Sequence, residues 1–259
     1  MPDASSLAGP LARIDRADEL LGQLDAKLKA FIATRPYTAV EQPDPNPLNR
    51  KYLITHIQDV PVPLRVLVGE ASHHLRASLD LLVYQLLIKE GVTNDKRLRS
   101  CSFPIIVSRD LVEAEEKRKH DDAVRNAIDG VSHESYRRIE ALQPCANNRE
   151  WSHLAQVQEL DNTDKHRLLL AGFASTRLPN FAFHDGENVH VVKEAFVPLQ
   201  VDAVFLFNGV PPGRTVTMPL ATHVTFNEPG PVFGHPIVHI LQNLSKMTRD
   251  TIQSFADCF

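Results

Sequence analysis

The chain has 259 residues and a formal net charge of −4, with 43% hydrophobic and 23% charged residues. These values are ordinary for a soluble globular protein, and the length suffices for one large domain or two modest ones. The slight acidity argues against a nucleic-acid-binding protein that depends on overall basic charge, but it leaves room for a local basic patch. No run of 18 apolar residues is present, so the sequence predicts no membrane-spanning helix.

Cysteine usage and the N-terminal sequence indicate a compartment. The first thirty residues lack the basic-then-apolar pattern of a secretory signal, and three cysteines lie far apart without a CxxC pair. Scattered cysteines in odd number fit free thiols in a reducing environment, so the sequence predicts a cytoplasmic protein. The usual motifs for dinucleotides, nucleoside triphosphates, zinc and serine nucleophiles are absent from the sequence, and no cofactor or metal is predicted.

In chain order, residues 1–9 are predicted to be a flexible tail. From Leu11 to Phe31, apolar residues recur at alternating spacings of three and four, which predicts an amphipathic helix. Its apolar seam either packs on its own domain or forms a homodimer contact. Residues 35–49 contain four prolines and no periodicity, and they are predicted to be a linker.

Beyond the linker, residues 51–58 are rich in β-forming side chains and predict a strand. A long helix over about residues 64–90 follows. Pro61 and Pro63 precede it, and Gly91 lies where a helix is commonly terminated by glycine.

The next predicted elements are mostly helical. Residues 101–107 form either a short buried strand or an extended segment. Ser108 is a candidate N-cap for a highly charged helix that reaches about residue 128. Two further helices are predicted at 133–142 and at about 149–173.

The pattern becomes β-prone after Pro179. Asp185 and Gly186 form a turn signal between two β-prone stretches, which predicts a hairpin. Similar stretches continue to about residue 228, and helical spacing returns from Pro236. The strand at 51–58 needs partners for its backbone groups, so we expect it to join the sheet of this hairpin.

These elements predict an α+β protein in which a helical bundle packs against a mainly antiparallel β-sheet. The whole chain, residues 1–259, is predicted to form a single interlocked domain. Its parts are a helical core at 62–175, a β-meander at 180–228 and a C-terminal helix at 236–257.

The helix over 64–90 carries polar side chains opposite its main apolar face, although apolar residues share that side. Buried charges must be paired or hydrogen-bonded, because an unpaired one costs several kcal/mol. The polar residues are Glu70, His73, Arg76, Asp80 and Tyr84.

The helix over 149–173 shows the same feature. Asp161 and Lys165 share a face with large apolar residues, and Asp164 lies at the edge of that face. We expect the two helices to be neighbours, with Arg76 or His73 in contact with Asp161 or Asp164. The predicted polar cluster comprises Glu70, His73, Arg76, Asp80, Asp161, Asp164 and Lys165.

Four strings, GEASHHLRASLDLLVYQL, FPI, LQP and LDNTDKHRLLL, resemble a widespread family of uncharacterised bacterial proteins. Its members carry a pattern close to G-[DE]-x-x-H-x-L-R-S-A-L-D-x-L and later D-K-H-R. The resemblance covers roughly residues 62–172 and implies no particular activity. This chain has Ala77-Ser78 where Ser-Ala is usual. The matching positions are Gly69, Glu70, His73, Leu75, Arg76, Leu79, Asp80, Asp164, Lys165, His166 and Arg167.

The helical bundle also loosely resembles HEPN-type domains, many of which cut RNA. Their signature is an arginine followed by four to six residues and a histidine on a helix. In this chain that spacing occurs from Arg50 to His56, on the predicted strand, which departs from the HEPN pattern.

The functional hypothesis is a site that handles RNA or nucleotide phosphate. His73 or His166 would transfer protons, because imidazole titrates near neutral pH. Arg76, Lys165 and Arg167 would hold phosphate. The candidate catalytic residues are His73, Arg76, Asp80 and His166, and the candidate substrate-binding residues are Glu70, Asp161, Asp164, Lys165 and Arg167.

Two alternatives stay open. Glu70-x-x-His73 has the ligand spacing of carboxylate-bridged metal sites in bundles, which need further ligands. The chain would otherwise be a non-enzymatic interaction or dimerisation module, and its polar cluster a structural salt-bridge network.

Overall fold

A computed structural model describes residues 6–106, 122, 124–144, 152–166, 171–175, 181–185, 188–192, 197–207, 223–227, 230 and 232–259. Within that part, the labelled α-helices are α1 (Ala8–Ala33), α2 (Val62–Lys89), α3 (Asp95–Ser100), α4 (His133–Leu142), α5 (His153–His166) and α6 (Ile237–Gln253). The strands are β1 (Tyr37–Gln42), β2 (Arg50–Ile57), β3 (Ala171–Ser175), β4 (Phe181–Asp185), β5 (Asn188–Val192), β6 (Val197–Leu199), β7 (Val204–Phe207) and β8 (His223–Phe226). The predicted α+β class is confirmed.

The described chain divides into two compact units, each assembled from separate stretches of sequence. The first comprises Met1–Gly22, Val66–Leu168 and Leu241–Phe259, and the second comprises Gln23–Arg65 and Leu169–Ile240. All residues of the predicted polar cluster belong to the first unit. The single interlocked domain stays a prediction.

The long helix α2 positions most of the candidate residues. It begins at Val62, two residues before the predicted start, since Pro63 is tolerated in a first helical turn. It ends with Gly91 at a φ of 75°, where the amide of Gly91 donates to Ile88 and that of Val92 donates to Leu87. This pairing is the Schellman pattern that a left-handed glycine permits. The predicted apolar face is buried at Leu64, Val68, Leu75, Leu79, Leu82 and Leu86.

Both strand predictions for the second unit are confirmed. A five-stranded sheet has the order β1-β2-β7-β4-β5, and a three-stranded sheet has the order β6-β3-β8. All pairings between these strands are antiparallel. The predicted strand at 51–58 therefore shares a sheet with the hairpin β4–β5, in which Asp185 pairs with Asn188.

Three segments differ from the structure that the sequence predicted for them. The segment 35–49 contains β1, an edge strand whose flanking prolines lie just outside it, so the pairing with β2 is kept. The segment 62–175 is not entirely helical, because β3 begins at Ala171 inside the apolar run assigned to a helix. The strands of 180–228 are not a simple meander, since β7 lies between β2 and β4 and the rest divide between two sheets.

The first helix begins at Ala8, inside the predicted tail, with Pro10 in its first turn. Its seam residues Ile14, Ala17 and Leu21 are buried within the chain itself. The seam is therefore covered without a second copy, and dimerisation through this helix stays a prediction.

Other predicted segments have different outcomes. The helix over 133–142 is confirmed as α4, and the C-terminal helix is confirmed as α6. The predicted charged helix from Ser108 lies mostly outside the described residues. Among the described helices, none has the length and apolar character needed to cross a membrane.

Candidate functional site

The predicted contact between the two polar helix faces is confirmed. Nδ1 of His73 on α2 lies 2.9 Å from Oδ1 of Asp161 on α5. Nζ of Lys165, one turn later on α5, lies 2.5 Å from Oδ2 of the same carboxylate. Asp161 is 1% exposed, whereas the side chains of His73 and Lys165 are 56% and 52% exposed. A buried carboxylate thus contacts two side chains that are each about half exposed.

Asp164 completes this arrangement on the α2 side. A Cβ atom added to Gly69 would overlap its carboxylate, so the glycine of the quoted motif gives Asp164 room against α2. Burial raises the pKa of Asp164, and the negative charges of Asp161 and Glu70 act in the same direction. We name the group of Glu70, His73, Asp161, Asp164 and Lys165 the His73 cluster.

Arg76 and Asp80 face a different partner, the backbone of Phe103. Nη2 of Arg76 donates to the Phe103 carbonyl at 2.8 Å and lies 3.0 Å from Oδ1 of Asp80. The same carboxylate oxygen accepts the Phe103 amide at 2.8 Å. This closed ring of contacts occupies both backbone polar groups of a buried residue.

Gln143 continues the same interaction along residues 101–106, which form neither helix nor strand. Its Nε2 donates to the Pro104 carbonyl at 2.8 Å, and its Oε1 accepts the Ile106 amide at 3.1 Å. Side chains therefore supply the hydrogen-bond partners for the backbone of this segment that a neighbouring strand would otherwise supply. We name Arg76, Asp80 and Gln143 the Phe103 clamp, which gives the FPI and LQP strings a structural role.

The polar cluster thus has two parts with different environments. The Arg76 side chain is 10% exposed, and Nη1 is buried with no hydrogen-bond partner among the described residues. Burial raises the pKa of Asp80, although Arg76 and the Phe103 amide oppose that shift. Arg76 is therefore engaged with protein groups and is not placed to hold phosphate from solvent, whereas the His73 cluster is open to solvent.

The remaining candidates lie apart from these contacts. His166 is exposed at the last position of α5, and the described residues offer it no hydrogen bond or ion pair. Arg167 lies outside the described residues. The geometry favours His73 over His166 for proton transfer.

Neutralising Asp164 is expected to stabilise the protein. The pKa of Asp164 is raised in the folded state, so the fold is more stable when this carboxyl group is protonated. Stability is lost as the pH rises through that pKa and the group ionises. Asp164→Asn should therefore raise the free energy of unfolding by about 0.5 kcal/mol at pH 7.5, the usual size of a like-charge effect on a helix. Denaturant unfolding at pH 7.5 and pH 4 measures this.

The gain should shrink at pH 4, because the raised pKa gives the wild-type carboxyl a larger protonated fraction there than at pH 7.5. Asp25→Asn, which removes an exposed ion pair with Lys29, is the matched control and should give no gain. A loss of stability in Asp164→Asn would instead assign Asp164 to a structural network.

Sequence reasoning missed three participants. His74 lies beside His73, with ring centroids 6.4 Å apart, and Arg13 of α1 lies 3.4 Å from its Nδ1. The HH pair was a visible signal for His74. Arg13 gave none, because its partner is distant in sequence, and the LQP string marked the position of Gln143 without indicating its backbone partners.

Comparison of the chain with protein-family models, with curated proteins and with solved structures found no match. Within the described residues, no group of three or more histidine, cysteine, aspartate or glutamate side chains is arranged to hold a metal ion. Arg50 and His56 both lie on β2, so the spacing typical of HEPN-type domains falls on a strand.

Proposed function

We propose that the His73 cluster is a general acid–base site that cleaves phosphodiester bonds in RNA. The observation that carries this proposal is the buried Asp161 carboxylate holding the half-exposed His73 imidazole by Nδ1. A carboxylate in that place orients the ring and selects the tautomer whose Nε2 can accept a proton. The ring nitrogen of His73 that does not contact Asp161 is thereby the basic one.

The chemical step follows from this orientation. Nε2 of His73 takes the proton of a ribose 2′-hydroxyl as that oxygen bonds to the neighbouring phosphorus. The bond from phosphorus to the 5′-oxygen breaks, and that oxygen takes a proton from water. The products are a 2′,3′-cyclic phosphate and a 5′-hydroxyl, and His73 returns its proton to solvent.

Lys165 supplies positive charge beside this reaction. Its ammonium group is anchored on the same carboxylate that contacts His73, and 52% of its side chain is exposed. A fixed cation next to the reacting phosphate stabilises the charge that develops there. Arg76 has no such role, since its guanidinium holds the Phe103 clamp.

The alternative is a non-enzymatic interaction or dimerisation module in which the whole cluster is a structural network. The Phe103 clamp favours it, because Arg76 and Asp80 bind backbone atoms of the chain. The exposure of His73 argues against extending it to the His73 cluster, because more than half of this side chain faces solvent while Arg76 is 10% exposed.

A mixed RNA pool tests the proposal. Wild type, His73→Ala and the control His133→Ala, an exposed histidine of α4, are incubated with divalent metal or with EDTA. We expect wild type and His133→Ala to cleave equally in both conditions, and His73→Ala to lose about 10²- to 10⁴-fold. Absence of cleavage by wild type would overturn the proposal. Loss of cleavage in EDTA would replace it with a metal site.

A further inference from the structure

His74 is a second imidazole at the edge of the His73 cluster, held by a partner that fixes its protonation. Nη1 of Arg13 lies 3.4 Å from Nδ1 of His74. A guanidinium has only donors, so Nδ1 of His74 must accept this hydrogen bond. The neutral ring then carries its single proton on Nε2.

His73 is held in the opposite way. A carboxylate has only acceptor oxygens, so Nδ1 of His73 must carry the proton that Asp161 accepts. The neutral ring is then left with a lone pair on Nε2. Two adjacent histidines therefore present complementary Nε2 atoms, one an acceptor and the other a donor.

The surroundings of His74 keep it in this neutral form. Burial lowers its pKa first, and the charges of Arg13, His73 and Arg16 lower it further, against an opposing effect of Glu70. The two rings are 6.4 Å apart between centroids and tilted by 56°. The two imidazoles are therefore near neighbours on the same turn of α2.

We propose that His74 is a second catalytic residue, whose Nε2–H donates a hydrogen bond to a non-bridging phosphate oxygen while Nε2 of His73 accepts the hydroxyl proton. Arg13 is a positioning residue that fixes the His74 tautomer. This inference rests on the proposed function. No proton leaves His74, so the products are unchanged, and the role is that of an oxyanion-hole donor. A neutral histidine can perform it.

Nitrogen NMR of the imidazole rings at pH 7.5 tests the tautomers directly, with His73→Ala and His74→Gln used for assignment. We expect a proton on Nδ1 of His73 and on Nε2 of His74. Arg13→Met should remove the tautomer preference of His74 and raise its titration midpoint. The matched control Arg99→Met, an exposed arginine of α3, should change neither. Identical tautomers in both rings, or no response to Arg13→Met, would overturn the inference.

Cleavage kinetics distinguish the proposed role of His74 from the proposed RNA cleavage by His73. His74→Phe should lower kcat about a hundredfold, the usual loss of one oxyanion donor, with a smaller change in KM. His74→Gln, which keeps an N–H donor, should recover part of that loss. If His73→Ala abolishes cleavage while His74→Phe cleaves as wild type does, only the role of His74 is wrong. If wild type cleaves no RNA, both proposals are wrong.

Discussion

Arg76→Ala is expected to lower the free energy of unfolding by about 2–4 kcal/mol. The substitution removes the donor to the Phe103 carbonyl and leaves Asp80 without its cation. Losing one partner of a buried ion pair costs about 3–5 kcal/mol, and the figure is reduced here because Asp80 is one-third exposed. Denaturant unfolding measures it.

Arg99→Ala is the matched control, since Arg99 also pairs with an aspartate four residues away but is 79% exposed. It should change stability by less than about 1 kcal/mol. Arg76→Lys should recover part of the loss, because the single nitrogen Nη2 makes both contacts and an ammonium also carries several donors. Equal effects of Arg76→Ala and Arg99→Ala would show that the Phe103 clamp does not stabilise the fold.

Asp161→Asn is expected to lower the rate of RNA cleavage by about 10³- to 10⁴-fold while the chain stays folded. An amide in this position can donate to Nδ1 of His73, which places the ring proton on Nε2 and removes the base. A loss of this order follows when a histidine–carboxylate pair is altered in that way. Single-turnover rates on a defined RNA measure it, with circular dichroism as the check on folding.

Asp95→Asn is the control for this prediction. Asp95 pairs with Arg99 at the same four-residue spacing as Asp161 with Lys165, but it is exposed. It should leave the rate unchanged. A wild-type rate for Asp161→Asn in a folded protein would mean that the carboxylate does not select the tautomer of His73.

Much of the fold follows from local pattern in the sequence. Helix α2 shows a complete apolar face between a proline start and a glycine end, and both signals act within a few residues. The pairing of β2 with the late strands follows from the need to satisfy its backbone groups. By contrast, β1 is hidden among prolines that its edge position tolerates, and an apolar run cannot distinguish the end of a helix from β3.

The candidate site was predictable from the sequence only where a charged side chain lies on an otherwise apolar helix face. His73 and Asp161 stand on otherwise apolar faces, and that conflict predicted their contact. The same signal grouped Arg76 and Asp80 with them, although these two bind the Phe103 backbone. Side-chain pattern carries no information about backbone partners, so sequence could not separate the clamp from the His73 cluster.

The role of His73 as the base is tested by the rate at which His73→Ala cleaves a labelled single-stranded RNA, relative to wild type. Lys165 still pairs with the buried Asp161 in this variant, and denaturant unfolding with circular dichroism checks that the chain stays folded. We expect a folded variant whose rate falls at least a hundredfold. A folded His73→Ala protein that cleaves as fast as wild type would contradict it.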